Sequence, residues 1–392
     1  MKNNKTIWDY ILLILLFAAV VLTSSCQGDV EFYDEVEEIN AVIKKDYSSS
    51  WDVIKNYPSE VLNYNTLNYF PDCWLDNTTL LADFDLDGDN DLMIAPDCTD
   101  DDQRQPPIKF FVNDNGNFYE SDIEIENNIG IISGARTSIV GDYNGDLIPD
   151  VVFISHNGHG YDFGVPQILL SDGDKFVYRD MTELRKAWYS EGTSGDIDND
   201  GDLDIILSID NGLLLNDGNA NFTLIKDFVL NYPGIGFGVP SLVDLNNDSY
   251  LDLIYRDYNT HVIVFNNNGV FDYSNSVKLP MPKHSEVDLD IKDRVIVDYD
   301  GDKDLDIITV SVPHDPNVVG YFNFIQVLEN KDNSFTDVSD KLLSKQQYNY
   351  YIEWLRTYDL DKDGVIEIFE HQKTSKWFKL EFNNESNKLI KQ

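Results

Sequence analysis

The chain has 392 residues, 42% of them hydrophobic and 12% aromatic, enough to bury a large core. Its formal net charge is −41, from 70 acidic and 29 basic side chains, which makes nucleic acid and anionic lipid headgroups poor partners. A compact fold must neutralise part of that repulsion, and bound divalent cations are the obvious means.

At the start of the chain, Lys2 and Lys5 precede an apolar run from Ile11 to Leu22, and small residues then lead to Cys26. Twelve apolar residues fall short of the ~20 that a helix needs to cross a bilayer, so residues 1–25 read as a signal peptide. The sequence Leu22-Thr23-Ser24-Ser25-Cys26 resembles a bacterial lipoprotein processing site. The resemblance implies a mature chain that begins at Cys26 and carries lipid there, because two or more acyl chains anchor a protein stably where one does not. The expected location is the bacterial cell envelope, lipid-anchored, at the outer membrane. The acids Asp29, Glu31, Asp34, Glu35, Glu37 and Glu38 resemble a surface-export signal, with a solvated tether as the alternative. Residues 26–77 are read as a tether and lead-in, with a short helix near Val36 to Lys45. Cys73 and Cys98 are left in a compartment that permits oxidation, either as a disulfide or as two free thiols.

From residue 78 to 392 an acidic loop recurs six times, at steps of 59, 54, 48, 54 and 61 residues, which marks one supersecondary unit copied along the chain. Each loop has oxygen-bearing side chains at positions one, three, five and nine. They are Asp83, Asp85, Asp87 and Asp91; Asp142, Asn144, Asp146 and Asp150; and Asp196, Asp198, Asp200 and Asp204. The later loops supply Asp244, Asn246, Asp248 and Asp252; Asp298, Asp300, Asp302 and Asp306; and Asp359, Asp361, Asp363 and Glu367. Alternate carboxylates and amides, with a backbone carbonyl at position seven, suit a hard cation that takes six to eight oxygens. Up to six Ca2+ ions are expected, and they would offset 12 charges where 22 of the 70 acids stand at ligand positions. Glycine at position six eases the turn in three loops (Gly88, Gly201, Gly364). Leu147, Ser249 and Lys303 replace it elsewhere, so those loops are expected to turn differently or bind more weakly.

The loops share their opening ligands with EF-hands, but an EF-hand needs an acid at position twelve and flanking helices. Position twelve is Ile94, Phe153, Leu207, Tyr255 and Thr309 in the first five loops, and only the sixth has an acid there, Glu370. The segment after each of the first five loops is short and rich in β-branched residues, as in a buried strand. A second phrase then recurs (FFVNDNGNFYE, ILLSDGDKFVYRD, LLLNDGNANFTLIKD and their counterparts), an apolar strand, a turn and another strand. Each unit therefore has four short strands, which makes an all-β chain and points to a β-propeller.

Calcium loops between the first two strands of a four-stranded blade resemble the FG-GAP repeats of integrin α-subunit propellers and of bacterial VCBS proteins. The expected architecture is six blades with six calcium-loop repeats, residues 30–77 being the alternative source of a seventh. The resemblance implies that ligands bind at the rim opposite the acidic loops. Candidates there are His156, His159, Tyr161, Trp188, Tyr189, His314 and Trp354, with inter-blade packing the alternative for the aromatic residues. Rings edged with polar groups suit a sugar. The leading reading is a membrane-anchored surface module that binds a glycan or a protein; a propeller-type polysaccharide lyase and a scaffold subunit of an outer-membrane assembly are the alternatives. G-x-S-x-G and H-E-x-x-H motifs do not occur in the sequence, and the reading leans away from an enzyme.

Overall fold

In the computed structural model, the described residues lie between Cys73 and Lys391, with interruptions in several loops, and from Ile352 onward they are described as strand backbones. All belong to the compact unit Tyr47–Gln392. The signal peptide, Cys26, the tether, the expected helix and the acidic loop at 359–366 lie outside the described residues.

Six antiparallel sets of four strands follow one another along the chain; the second and fifth sheets each carry one further strand, and in the fourth a hairpin of Asn266–Asn267 and Val270–Asp272 comes before the last strand. The first takes Thr79–Ala82, Asp91–Ile94, Lys109–Asp114 and Asn117–Glu120, and the second Ala135–Gly141, Asp150–Ser155, Gln167–Asp172 and Lys175–Asp180. The third is Gly192–Gly195, Asp204–Leu207, Gly212–Asn216 and Phe222–Lys226; the fourth is Gly238–Val243, Asp252–Asp257, Thr260–Val264 and Val277–Lys278. Leu289–Val297, Asp306–Pro313, Asn323–Lys331 and Ser334–Asp337 make the fifth, and Ile352–Tyr358, Glu367–Gln372, Lys376–Asn383 and Lys388–Lys391 the sixth. The second strands that are described with their side chains are buried along most or all of their length, which is why they read as continuous apolar runs rather than alternating ones.

The core lies between successive sheets. Phe84 and Phe110 of the first unit stack with Phe176 of the second, ring centres 4.9–6.1 Å apart. Ile139 and Ile168 of the second unit meet Ile205 and Leu214 of the third, and Ile206 and Leu213 of the third meet Leu253 and Val262 of the fourth. Ile254 and Ile263 of the fourth then meet Ile307 and Leu328 of the fifth. The second, third and fourth sheets thus bury both faces against their neighbours. The first strands of successive sheets lie side by side, as at Gly192–Gly195 against Gly238–Val243. Radial stacking of this kind defines a β-propeller.

Outer edges receive the linkers. Glu124–Glu126 runs parallel to Lys175–Asp180 and covers the free edge of the second sheet, and Val229–Leu230 runs parallel to Val270–Asp272 of the hairpin in the fourth unit. Between the fourth and fifth sheets sits a joint with no counterpart in the repeat pattern. The Arg294 guanidinium, 6% exposed, donates to Ser241 Oγ at 2.9 Å and to the carbonyls of Ile254 (3.0 Å) and Val239. Val239 has a φ of 46°, unusual for a β-branched residue, at a register shift in its strand. Its N–H is held by the Glu191 carboxylate. Burial lowers the Arg294 pKa to about 10 and keeps His261, 3.3 Å away, neutral by pushing its pKa well down.

Candidate metal loops

The five described acidic loops share one hydrogen-bonded frame, built from the spacing of the acids themselves. The carboxylate at position one folds back over the turn: Asp83 accepts the N–H groups of Asp87 and Gly88, and Asp196 those of Asp200 and Gly201, at 3.0–3.1 Å. Asp142, Asp244 and Asp298 do the same for Leu147, Ser249 and Lys303 at 2.8–3.0 Å. The oxygen at position three takes the N–H of position five, as at Asp85, Asn144, Asn246 and Asp300. Position five takes the N–H of position seven, as at Asp146, Asp200, Asp248 and Asp302. Each carboxylate is thereby aimed along the inside of the turn.

Position six corrects the expectation of a different turn. Leu147, Ser249 and Lys303 have φ of 70°, 72° and 79°, so these loops make the same left-handed turn as Gly88 and Gly201. Position four is left-handed as well, in Leu86, Gly145, Asn199, Asn247 and Gly301. Glycine at either of the two positions relieves part of the strain, which is how a loop with Gly145 tolerates Leu147. In the fourth loop, Asn247 takes position four, and asparagine tolerates that conformation better than most side chains.

Position nine has a second duty that the ligand pattern does not show. Asp91, Asp150, Asp204, Asp252 and Asp306 are fully buried at the head of the second strand. One oxygen accepts the N–H of position two, from Phe84, Tyr143, Ile197, Leu245 or Tyr299, at 2.8–3.2 Å. The other accepts an N–H at or just past the end of the third strand, from Asn113, Ser171, Asn216, Asn266 or Asn330, at 2.7–2.9 Å. Burial pushes the pKa up to about 6 for Asp91 and about 7 for the other four, against the pull of those N–H groups. Burial also raises Asp196, Asp198 and Asp300, and the neighbouring carboxylates add to the rise. The loops therefore hold more negative charge than their own geometry stabilises.

Among the described residues, three sets of carboxylates bring one oxygen each within 4.8 Å of the others: Asp83, Asp85 and Asp91; Asp196, Asp198 and Asp200; and Asp298, Asp300 and Asp302. An all-oxygen set with two or three charges fits Ca2+ in donor type and charge. The residues that would hold it are positions one and three, with position five in the third and fifth loops and position nine in the first. A bound cation would supply neutralisation of the loop.

The ligand-face candidates fare unevenly. Tyr189 is 2% exposed and packs in the core with Ile154, Met181 and Leu207, which removes it from any binding face. His156, His159, Tyr161, Trp188 and His314 lie outside the described residues, as do Asp359, Asp361 and Asp363. Trp354 falls in a strand whose backbone pairs it with His371, and Glu367 opens the following strand. Cys73 and Cys98 are directly opposite in an antiparallel pair of two-residue strands. The sequence reading missed the Asn or Ser that ends each third strand, although VND, LSD, LND, FNN and LEN recur in phase with the acidic loops. It treated them as turn residues.

Radially stacked four-stranded sheets, each with an acidic loop between its first and second strands, define a β-propeller of repeated loop-bearing blades. The FG-GAP-like repeat matches residues 83–153, 142–207, 196–255 and 298–369, more than half of the chain, and the protein belongs to that family. Each match begins on the first aspartate of an acidic loop. No curated protein matches the sequence. Among solved structures, the chain is similar to an Agrocybe aegerita lectin that recognises non-reducing terminal N-acetylglucosamine, at 16% identity and a TM-score of 0.45. The similarity covers 66% of this chain and 64% of the lectin, so the chain spans just under two thirds of that relative's length. The exotype rhamnogalacturonan lyase YesX is similar at 15% identity and a TM-score of 0.42, over 81% of this chain and 64% of the lyase.

Proposed function

We propose that this chain is an exported, lipid-anchored FG-GAP propeller whose acidic loops hold calcium as structural ties and whose opposite rim binds a glycan or a protein. The contrast between the two rims carries the reading. On the acidic rim, eight residues join the first and second strands in all six sheets (83–90, 142–149, 196–203, 244–251, 298–305 and 359–366). On the other rim, the connection to the third strand ranges from two residues (258–259) to fourteen (95–108). Constant length and a shared hydrogen-bond frame are what a structural element needs. Variation on a rigid scaffold is where recognition is usually placed.

The test is retention of calcium-loaded protein on glycan arrays and capture of envelope proteins, repeated after shortening the loop 95–108. The expected result is a ligand retained by the parent and lost from the shortened form, with the melting temperature unchanged. If the parent retains no glycan or protein, the binding role falls. Anchoring is tested separately, by fatty-acid labelling in cells. Cys26→Ser is expected to abolish the label and release the protein from membranes, and label that persists would remove Cys26 as the lipid site.

A further inference from the structure

We infer that the second, third and fourth acidic loops form one cooperative block, coupled by the side-chain amides of Asn216 and Asn266. The inference rests on the reading that these loops hold cations. A continuous hydrogen-bonded path joins them. Asp150 accepts the Tyr143 N–H at 2.8 Å, and the Tyr143 carbonyl accepts the Asn216 amide at 2.8 Å. The Asn216 N–H donates to Asp204 at 2.9 Å, and Asp204 also accepts the Ile197 N–H at 3.2 Å. The Ile197 carbonyl takes the Asn266 amide at 3.0 Å, and the Asn266 N–H reaches Asp252 at 2.8 Å.

Each amide spans two loops at once. The second N–H of Asn216 goes to the Leu203 carbonyl of the third loop, and that of Asn266 to the Leu251 carbonyl of the fourth, both at 3.2 Å. Their oxygens accept the N–H groups of Asp217 (2.9 Å) and Gly269 (2.7 Å), so both amides are fully used. They are 4% and 2% exposed, where a broken bond is not replaced by water. Packing adds to this. A Cβ on Gly141 would lie 2.6 Å from Leu203 Cδ1, and one on Gly195 would lie 2.5 Å from Leu251 Cδ1. The leucine at position eight of one loop therefore fills the space beside the residue just before the previous loop. A cation that draws together positions one, three and five moves positions two and eight of the same short turn. The amide passes that movement to the next loop.

The block has ends. Ser171 stands where the second unit would have the asparagine, and its hydroxyl turns to Asp146 and Asp150 of its own loop, at 2.7 Å each. Asn330 keeps its amide within its own unit, on the Leu305 carbonyl at 3.1 Å, and its side-chain oxygen has no partner. The first and fifth loops thus stand outside the path.

The test is Ca2+ titration of the full chain by calorimetry, for the parent and for Asn216→Ser with Asn266→Ser, the residue already accommodated at 171. The parent is expected to fill a three-ion set with a Hill coefficient of ~2, and the double variant to bind the same number of ions with a coefficient of ~1. In the parent background, Asp196→Asn is expected to weaken calcium at the two neighbouring loops about five-fold or more. Asp298→Asn should subtract one ion and leave the steepness of the rest unchanged, a comparison that stands even if the asparagine variants fail to fold. Independent filling in the parent, or neighbours indifferent to Asp196→Asn, overturns the coupling while leaving the calcium reading intact. A parent that binds no ion overturns both.

Discussion

Chelation is expected to lower the melting temperature by roughly 15 °C or more. A site where calcium stands at about 100 times its dissociation constant adds about 2.7 kcal/mol to the folded state, so three sites add about 8 kcal/mol, and each kcal/mol is worth about 2 °C in a domain this large. Three carboxylate sets among the described residues bring oxygens within 4.8 Å of one another, so the folded form carries their repulsion. The effect has a sign in pH. Asp150, Asp204, Asp252 and Asp306 are held near 7, above the ordinary 3.8, so without cation the folded state binds the extra protons. Their contribution is most favourable below pH 4 and is lost as pH rises through 7. Calcium requires the ionised form, so its stabilisation grows over the same interval. Scanning calorimetry with calcium and with excess chelator should therefore give curves that diverge from pH 5 to pH 8. A melting temperature that ignores chelator at pH 8 would end the structural role of the loops.

Asp204→Ala and Asp252→Ala, each in saturating calcium, are expected to cost about 3–5 kcal/mol. Removing either carboxylate strands two buried N–H groups, those of Ile197 and Asn216 or of Leu245 and Asn266, at about 1–3 kcal/mol for each unpaired group. It also deletes an acid beside the cation. An exposed acid away from the loops, Glu124, should change stability by no more than about 0.5 kcal/mol when truncated. Denaturant melts of the three variants decide this. If the position-nine variants unfold at the same midpoint as Glu124→Ala, the buried aspartates do not anchor the loops.

The repeat, its four strands and the acidic loops were readable because each depends on short contiguous spacing. The alternation DxDxD sets three oxygens on one side of a turn whatever surrounds it, and DLMI, DIIL and DLIY are strands because β-branched and other apolar side chains must bury both faces. The turn at position six was misread because glycine at position four was not weighed against it. Gly145 and Gly301 share the strain with Leu147 and Lys303. Tyr189 was left between a ligand face and inter-blade packing for a different reason. An aromatic residue between two strands has the same sequence signature whether it faces a ligand or the next sheet, and its neighbours Ile154 and Met181 are brought to it by the docking of sheets.

By itself, then, the sequence determined the period, the strand content, the −41 charge and the oxygen-bearing side chains of each loop, which are read from residue order and composition alone. Only the tertiary structure decided what holds the loops to one another. Asn216 reaches Tyr143 across 73 residues, Asn266 reaches Ile197 across 69, and Arg294 reaches Val239 across 55. Such contacts are fixed by which sheet packs beside which. They become worth making only after folding has met the entropy of bringing distant segments together, so no local pattern announces them.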